Sequence, residues 1–307
     1  MFNDLFSKGG LSLDRLRSFC CVAEAGGVTK AAGGDPTRQS QFSRQIKELE
    51  TFFGTELTRR QGKSIVLSSA GIRLAKIAGE SFVALDDFHR ACKNEPLDFS
   101  IGAGDALLQW LFFPRIAQLH DTMPNVAFNV LSLRTLDIAE RVSDLRLDFG
   151  LIRKDAISPL HKCEPLGTQT YSLFVPVKLL DSKKTPDWKE VIGKIPLATI
   201  AGEGMFRASL EKEAMKGKIQ LNFSLSCSSF PQAAKALQSE RYAAILPSIA
   251  SAELDQKRFT AIPAPFLKSQ AREICLIWNP RSVNLRPMTA EVKSHLAKFI
   301  RLPKTPG

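Results

Sequence analysis

Leu13, Leu16, Phe19 and Ala23 recur at spacings of three and four, which marks one face of an amphipathic helix that Gly26-Gly27 ends. A short Ala-rich helix follows at residues 28–32, then a turn at Gly33-Gly34-Asp35-Pro36. Over residues 37–53, Phe42, Ile46, Leu49 and Phe53 form an apolar back. The front carries Ser40, Arg44, Lys47 and Thr51, with Gln41 and Ser43 beside it. Residues 56–67 read as a hairpin with Gly62 at its turn and Arg59, Arg60 and Lys63 around it. Two helices, a turn, a third helix with a polar front and a basic hairpin make a mainly-α winged helix-turn-helix.

Residues 69–94 contain no Pro, and Leu74, Ile77, Ala78, Phe82, Leu85, Phe88 and Cys92 keep helical spacing. The pattern predicts one long helix that leaves at Glu95-Pro96. Beyond it, strand-like and helix-like stretches alternate. Strands are expected at 99–102, 126–131 and 148–152, with helices at 106–120 (restarted at Pro114) and 135–145. This βαβαβ order implies a parallel sheet. A second set has strands at 171–175, 197–200, 221–226 and 243–246 and helices at 188–192, 206–215 and 230–239. A late strand at 275–278 and a closing helix at 288–300 complete the chain. Two α/β lobes, with the chain crossing out and returning, are the expectation.

The types on the third helix suit a major groove. Gln and Arg make bidentate contacts to base edges, and Ser reaches bases or phosphates. Gln39, Ser40, Gln41, Ser43 and Arg44 are therefore the candidates for base or phosphate contact, and Lys47 for phosphate. Arg59, Arg60 and Lys63 would reach phosphates or a narrow minor groove.

Bulk charge adds less than it promises. The net charge is +11 over 307 residues, yet residues 1–95 hold only +3 of it and residues 96–307 hold +8. Local placement of cations, not the total, points to DNA. No apolar stretch approaches the ~20 residues that span a bilayer, and the start lacks a basic, then apolar, leader. A cytoplasmic protein with no membrane partner is expected. Six cysteines, at 20, 21, 92, 163, 227 and 275, form no C-x-x-C, and with only four histidines there is no zinc-ligand spacing. Reduced thiols, packed mostly as small hydrophobes, and no metal or cofactor are expected. The sequence holds no G-x-S-x-G, P-loop, H-E-x-x-H or G-x-G-x-x-G, so an enzyme is not the reading.

The runs Leu16-Arg17-Ser18-Phe19, Val22-Ala23-Glu24, Val28-Thr29-Lys30-Ala31-Ala32 and Phe42-Ser43-Arg44-Gln45-Ile46-Lys47-Glu48-Leu49-Glu50 resemble the N-terminal signature of the LysR-type transcriptional regulators. Phe53-Gly54, Glu56-Leu57, Arg60, Gly62 and Leu67-Ser68-Ser69-Ala70-Gly71 continue it without gaps. The chain departs from the family pattern at Asp35 and Thr37, where apolar residues are usual. It departs again at Arg38, Ser40 and Gln41, at the start of the third helix, and at Thr58, where an aromatic is usual. No operator sequence is therefore carried over. In the second half, Asp148-Phe149-Gly150-Leu151-Ile152 and Tyr242-Ala243-Ala244-Ile245-Leu246-Pro247 match the family in order and length.

The resemblance implies a winged-helix domain over 1–68, a linker helix over 69–95 that pairs with its copy, and a two-lobed effector domain over 96–307. That domain is similar in fold to periplasmic solute-binding proteins. Lobe I would take about 96–168 and 269–307, and lobe II about 169–268. Partners would be double-stranded DNA, an unknown small-molecule effector, and further copies in a homodimer or homotetramer. Ligands of such sheets bind beyond the C-terminal strand ends, against helix N-termini. Position nominates Gly104, Asp105, Ala106, Ser132, Arg134, Thr135, Ala201, Gly202, Glu203, Ser228, Ser229 and Phe230. Asp105 could cap its helix and would repel a carboxylate unless Arg134 or Arg207 compensates. One alternative is the same DNA-binding scaffold acting as a thiol redox sensor, for example through a Cys163–Cys227 disulfide; another is a solute-binding protein without a transcriptional role, which the N-terminal helix-turn-helix opposes.

Overall fold

The computed structural model describes residues 5, 7, 9–61, 64–181, 186–201 and 205–303. The chain divides into two compact units, 1–95 and 96–307.

In the first unit, α1 (Leu13–Ala25) is capped by the Ser12 hydroxyl and stopped by Gly26 at φ 73°. α2 (Val28–Ala32) and α3 (Pro36–Phe53) follow. α3 starts one residue before the expected position. Pro36 takes the first helical site, which wastes no N–H, and the Asp35 carboxylate accepts from Thr37 N at 2.8 Å and Arg38 N at 3.4 Å. Phe19, Val22, Val28, Ala32, Phe42, Ile46, Leu49 and Leu57 form the core. Leu13 and Phe53, expected on buried faces, are exposed at the first and last positions of their helices. Strands β1 (Thr58–Gln61) and β2 (Ser64–Leu67) pair antiparallel.

α4 (Ser69–Cys92) opens on the Ser68 cap. Its first half packs on the core through Leu74 and Ala75, and Ala78 is buried. Along its outer side Ile72, Ile77, Val83, Leu85 and Phe88 are exposed, Phe88 at 70%.

The second unit has two five-stranded sheets. The first uses β3 (Leu97–Ala103), β4 (Val126–Ser132), β5 (Phe149–Arg153), β6 (Lys162–Gln169) and the late β12 (Arg272–Trp278), in the order β4-β3-β5-β12-β6. β3 pairs parallel with β4 and β5, whereas β12 runs antiparallel to β5 and β6. The second uses β7 (Tyr171–Pro176), β8 (Leu197–Ile200), β9 (Phe223–Cys227), β10 (Ala243–Pro247) and β11 (Phe259–Ile262), in the order β11-β7-β10-β8-β9. The sheets are thus mixed. β6 and β11 lie on edges, and β6 accommodates Pro165 and Gly167 there around a bulge at its own Leu166, where the register against β12 shifts between Ile274 and Cys275. Pro165 and Gly167 hide β6 from a periodicity reading.

Helices cover the strands: α5 (Ile116–Thr122), α6 (Thr135–Ser143), α7 (Trp188–Lys194), α8 (Met205–Lys216), α9 (Phe230–Gln238), α10 (Pro280–Leu285) and α11 (Met288–Phe299). The run expected as one helix at 106–120 is an α turn at Asp105–Leu107, a π turn at Leu108–Phe112 and a 3-10 turn at Phe113–Arg115, before α5. Pro114 cannot donate to the preceding turn, so the hydrogen-bond pattern shifts around it. One apolar core joins both lobes, from Phe99, Ile101 and Leu111 through Ala233, Leu237 and Leu246. Trp110 donates its indole N–H to Glu253 at 2.8 Å across that boundary.

Candidate DNA-reading surface and effector cleft

Phe42, Ile46 and Leu49 anchor the back of α3, so its front faces outward. Gln39, Ser40, Gln41, Ser43, Arg44 and Lys47 are all exposed. The Ser43 hydroxyl donates to the Gln39 carbonyl at 2.9 Å and keeps its lone pairs for a donor. Arg44, with 83% of its side chain exposed, pairs through Nε with Glu48 at 3.0 Å. Glu48 also accepts from Arg15 of α1, and the two guanidiniums hold its carboxyl below the usual range. Glu48 thus fixes where Arg44 starts from.

Glu50 does the same for the wing. One carboxylate oxygen accepts from Leu57 N at 2.9 Å, Thr58 N at 3.0 Å and the Thr58 hydroxyl at 3.1 Å, tying the end of α3 to the first strand of the hairpin. Arg59 and Arg60, opposite Val66 and Ile65, are exposed on that hairpin. Lys63 lies outside the described residues. The Glu48 link to Arg15 and the Glu50 hold on the wing escape a sequence reading, because those partners lie in other elements.

In the second unit, parallel strands end together. Asp105, just past β3, accepts from the hydroxyl of Ser132 at the end of β4. Asp105 does not cap its helical turn. Gly104 occupies that position and offers no side chain, which corrects the capping expectation. Arg134 precedes α6 and is exposed, and Thr135 starts that helix. Ala106 is buried, and its turn packs on α9. In the other lobe, Ala201 N donates to the Cys227 carbonyl at 2.6 Å, which joins the ends of β8 and β9. Ser229 caps α9, and the Ser228 hydroxyl is taken by Gln232 at 2.8 Å. Phe230 packs on Tyr171 and Phe206, with ring centroids 5.7 and 5.1 Å away. Gly202 and Glu203 lie outside the described residues. Arg207 does not serve as a compensating cation: it pairs with Glu211 and lies 3.4 Å from the Phe223 ring centroid.

Cross-strand register assembles residues no spacing suggests. Arg153 opposes Ile274, and Arg272 opposes Gln169, so these four share one sheet face. Beside them, Thr170, Ser172 and Ser248 join hydroxyls at 3.0 and 2.7 Å. Tyr171 accepts from Gln169 Nε2 at 2.8 Å. Burial raises the Tyr171 phenol, and the Gln169 bond, Arg272 and Arg153 oppose that rise.

Among the cysteines, Cys227 and Cys275 are buried and Cys21, Cys92 and Cys163 are exposed, so packing does not account for most of the set. Cys163 on β6 neighbours Cys275 on β12, not Cys227 at the end of β9. Among the described residues no cluster of three or more metal-ligating side chains forms, and no helix is long and apolar enough to cross a membrane.

Residues 13–72 match the family model for the bacterial regulatory helix-turn-helix protein, lysR family, and residues 98–297 match that for the LysR substrate binding domain. The HTH-type transcriptional regulator TrpI of Pseudomonas aeruginosa is 28% identical over 117 residues, 38% of this chain. The chain spans only 40% of the length of that relative. A full-length OxyR variant from the same organism superposes with a TM-score of 0.63 at 17% identity, covering 96% of this chain and 99% of that one. Full-length CbnR, solved with its target DNA, gives 0.51 at 16% identity, covering 95% and 100%.

Proposed function

The chain belongs to the LysR family of transcriptional regulators, and on that premise we propose that it reads a specific double-stranded operator and is switched by a small-molecule effector. The observation that carries the reading is the outward face of α3. Six polar side chains stand exposed on a helix whose back is buried, next to a hairpin bearing Arg59 and Arg60. That CbnR was solved on target DNA supports it. In this proposal residues 1–68 bind DNA, 69–95 link, and 96–307 sense the effector through the cleft residues, in the cytoplasm.

Two copies are expected to pair through α4. Ile77, Leu85 and Phe88 form an uncovered stripe on an otherwise regular helix. Burying it gains ~1.5–3 kcal/mol per large side chain. Pairing also gives two reading heads and the gain of linked binding. Leu85→Glu with Phe88→Glu should convert the oligomer to monomer in sedimentation and weaken operator binding. Footprinting of DNA flanking its own gene, with and without candidate metabolites, tests the whole reading; no protection at any sequence rejects it.

A further inference from the structure

Resting on the effector-cleft reading, we propose that the ligand of the second unit is an aromatic anion, its acid group received by Arg153 and Arg272 and its ring by Tyr171, Phe206 and Phe230. Arg153 ends β5 and Arg272 begins β12. The register puts both on the sheet face that carries Gln169, at the edge where β3 and β4 also end. Gln169, the cross-strand partner of Arg272 on that face, donates to the Tyr171 hydroxyl at 2.8 Å, which ties the face bearing the two arginines to the half-buried Tyr171. Arg272 spends Nη1 on the carbonyls of Ser269 and Ala271, an anchoring that aims the rest of its fork. Arg153 shares charge with Asp155 at 3.6 Å.

The aromatic wall is built from three elements. Tyr171 lies 4.6 Å from Phe206 and 5.7 Å from Phe230, centroid to centroid. Such rings favour a flat partner in offset or edge contact, and a guanidinium fork matches a carboxylate's two oxygens. Gln169, 8% exposed, leaves Oε1 without a partner among the described protein groups, so one hydrogen-bond donor from a ligand is accommodated there. Asp105, just past β3, keeps its negative charge while it accepts from Ser132, and Arg153 and Arg272 together outweigh that single charge.

The test uses the full-length chain with benzoate, benzamide, benzylamine and acetate as probes, read by saturation-transfer NMR and melting temperature. Benzoate is expected to bind about tenfold or more tightly than benzamide, benzylamine or acetate. Arg272→Gln should weaken benzoate by about tenfold in a variant whose circular dichroism shows the wild-type fold. Should that variant fail to fold, Arg153→Gln carries the same expectation. Benzamide or benzylamine binding as tightly as benzoate overturns the proposal, as does unchanged benzoate affinity in a folded Arg variant. A metabolite that is not an aromatic anion, binds the wild type, is blocked by Ser132→Trp and alters the DNA footprint overturns it while the cleft reading stands. If no metabolite fraction alters the footprint, the cleft reading falls, and the proposal with it.

Discussion

The Arg286 guanidinium donates to Asp148 at 2.8 Å, with 7% and 17% of the two side chains exposed. Arg286 also donates to the Asp98 carbonyl at 2.8 Å and lies 4.1 Å from the Phe99 ring centroid. Asp148 in turn accepts from Ser100 N at 2.8 Å and its hydroxyl at 2.6 Å. The pair lashes the C-terminal helices to the start of β3. Asp148→Ala would leave a buried cation and two unmet donors, so it should cost about 3–5 kcal/mol in urea unfolding. Replacing both partners with apolar residues should cost less.

Arg44→Ala should weaken operator binding by ~1–3 kcal/mol if the guanidinium reads a base. Binding anisotropy against single-base operator variants measures it. A base contact predicts relaxed preference at one position; equal loss on all sequences would mark a phosphate contact instead.

Arg59→Ala should weaken specific and random duplexes alike. The slope of log affinity against log salt should become shallower by about 1. A salt titration of the wild type and the variant compares the two slopes.

His161 sits between Ser143, Ala139 and Ser158. Its Nε2 donates to the Ala139 carbonyl, and Nδ1 accepts from Ser158 N, so a second proton at Nδ1 would face a donor. Burial lowers its pKa below the ordinary 6.5. The unfolded chain therefore takes up a proton first as pH falls. Stability from the neutral ring is complete above 6.5 and is lost between 6.5 and the folded value. Melting temperatures from about pH 7.5 to about pH 5 should show this loss, and His161→Gln should flatten it.

Gly71 touches the wing's approach to the core. A Cβ there would stand 2.0 Å from the Leu57 carbonyl oxygen, whereas one at Gly79, on the same helix, meets nothing within 4 Å. Gly71→Ala should destabilise the first unit by ~1–3 kcal/mol or more, and Gly79→Ala should stabilise it by ~0.5–1 kcal/mol. Thermal melts of the two variants should move in opposite directions.

Helix spacing made the first unit legible, because three- and four-residue steps mark the face that each helix buries. Phe19, Phe42, Ile46 and Leu49 could be assigned to its core from three- and four-residue steps alone. So could the polar front of α3. The strands of the second unit were legible where they run as continuous apolar stretches, as at Phe149–Arg153 and Ala243–Pro247. Edge strand β6, with Pro165 and Gly167, was not.

By itself the sequence determined which helix faces of the first unit are apolar, where those helices start and stop to within a residue, and which polar side chains front the third helix. These follow from local propensity and period. Tertiary structure decided what those residues meet. Glu48 bridges Arg15 and Arg44, Glu50 holds the wing, and Asp105 serves Ser132 instead of capping. Above all, Arg153, Gln169 and Arg272 share one sheet face because β12 returns from far along the chain to pair between β5 and β6. Non-local strand pairing sets that register, and no spacing within a single segment encodes it.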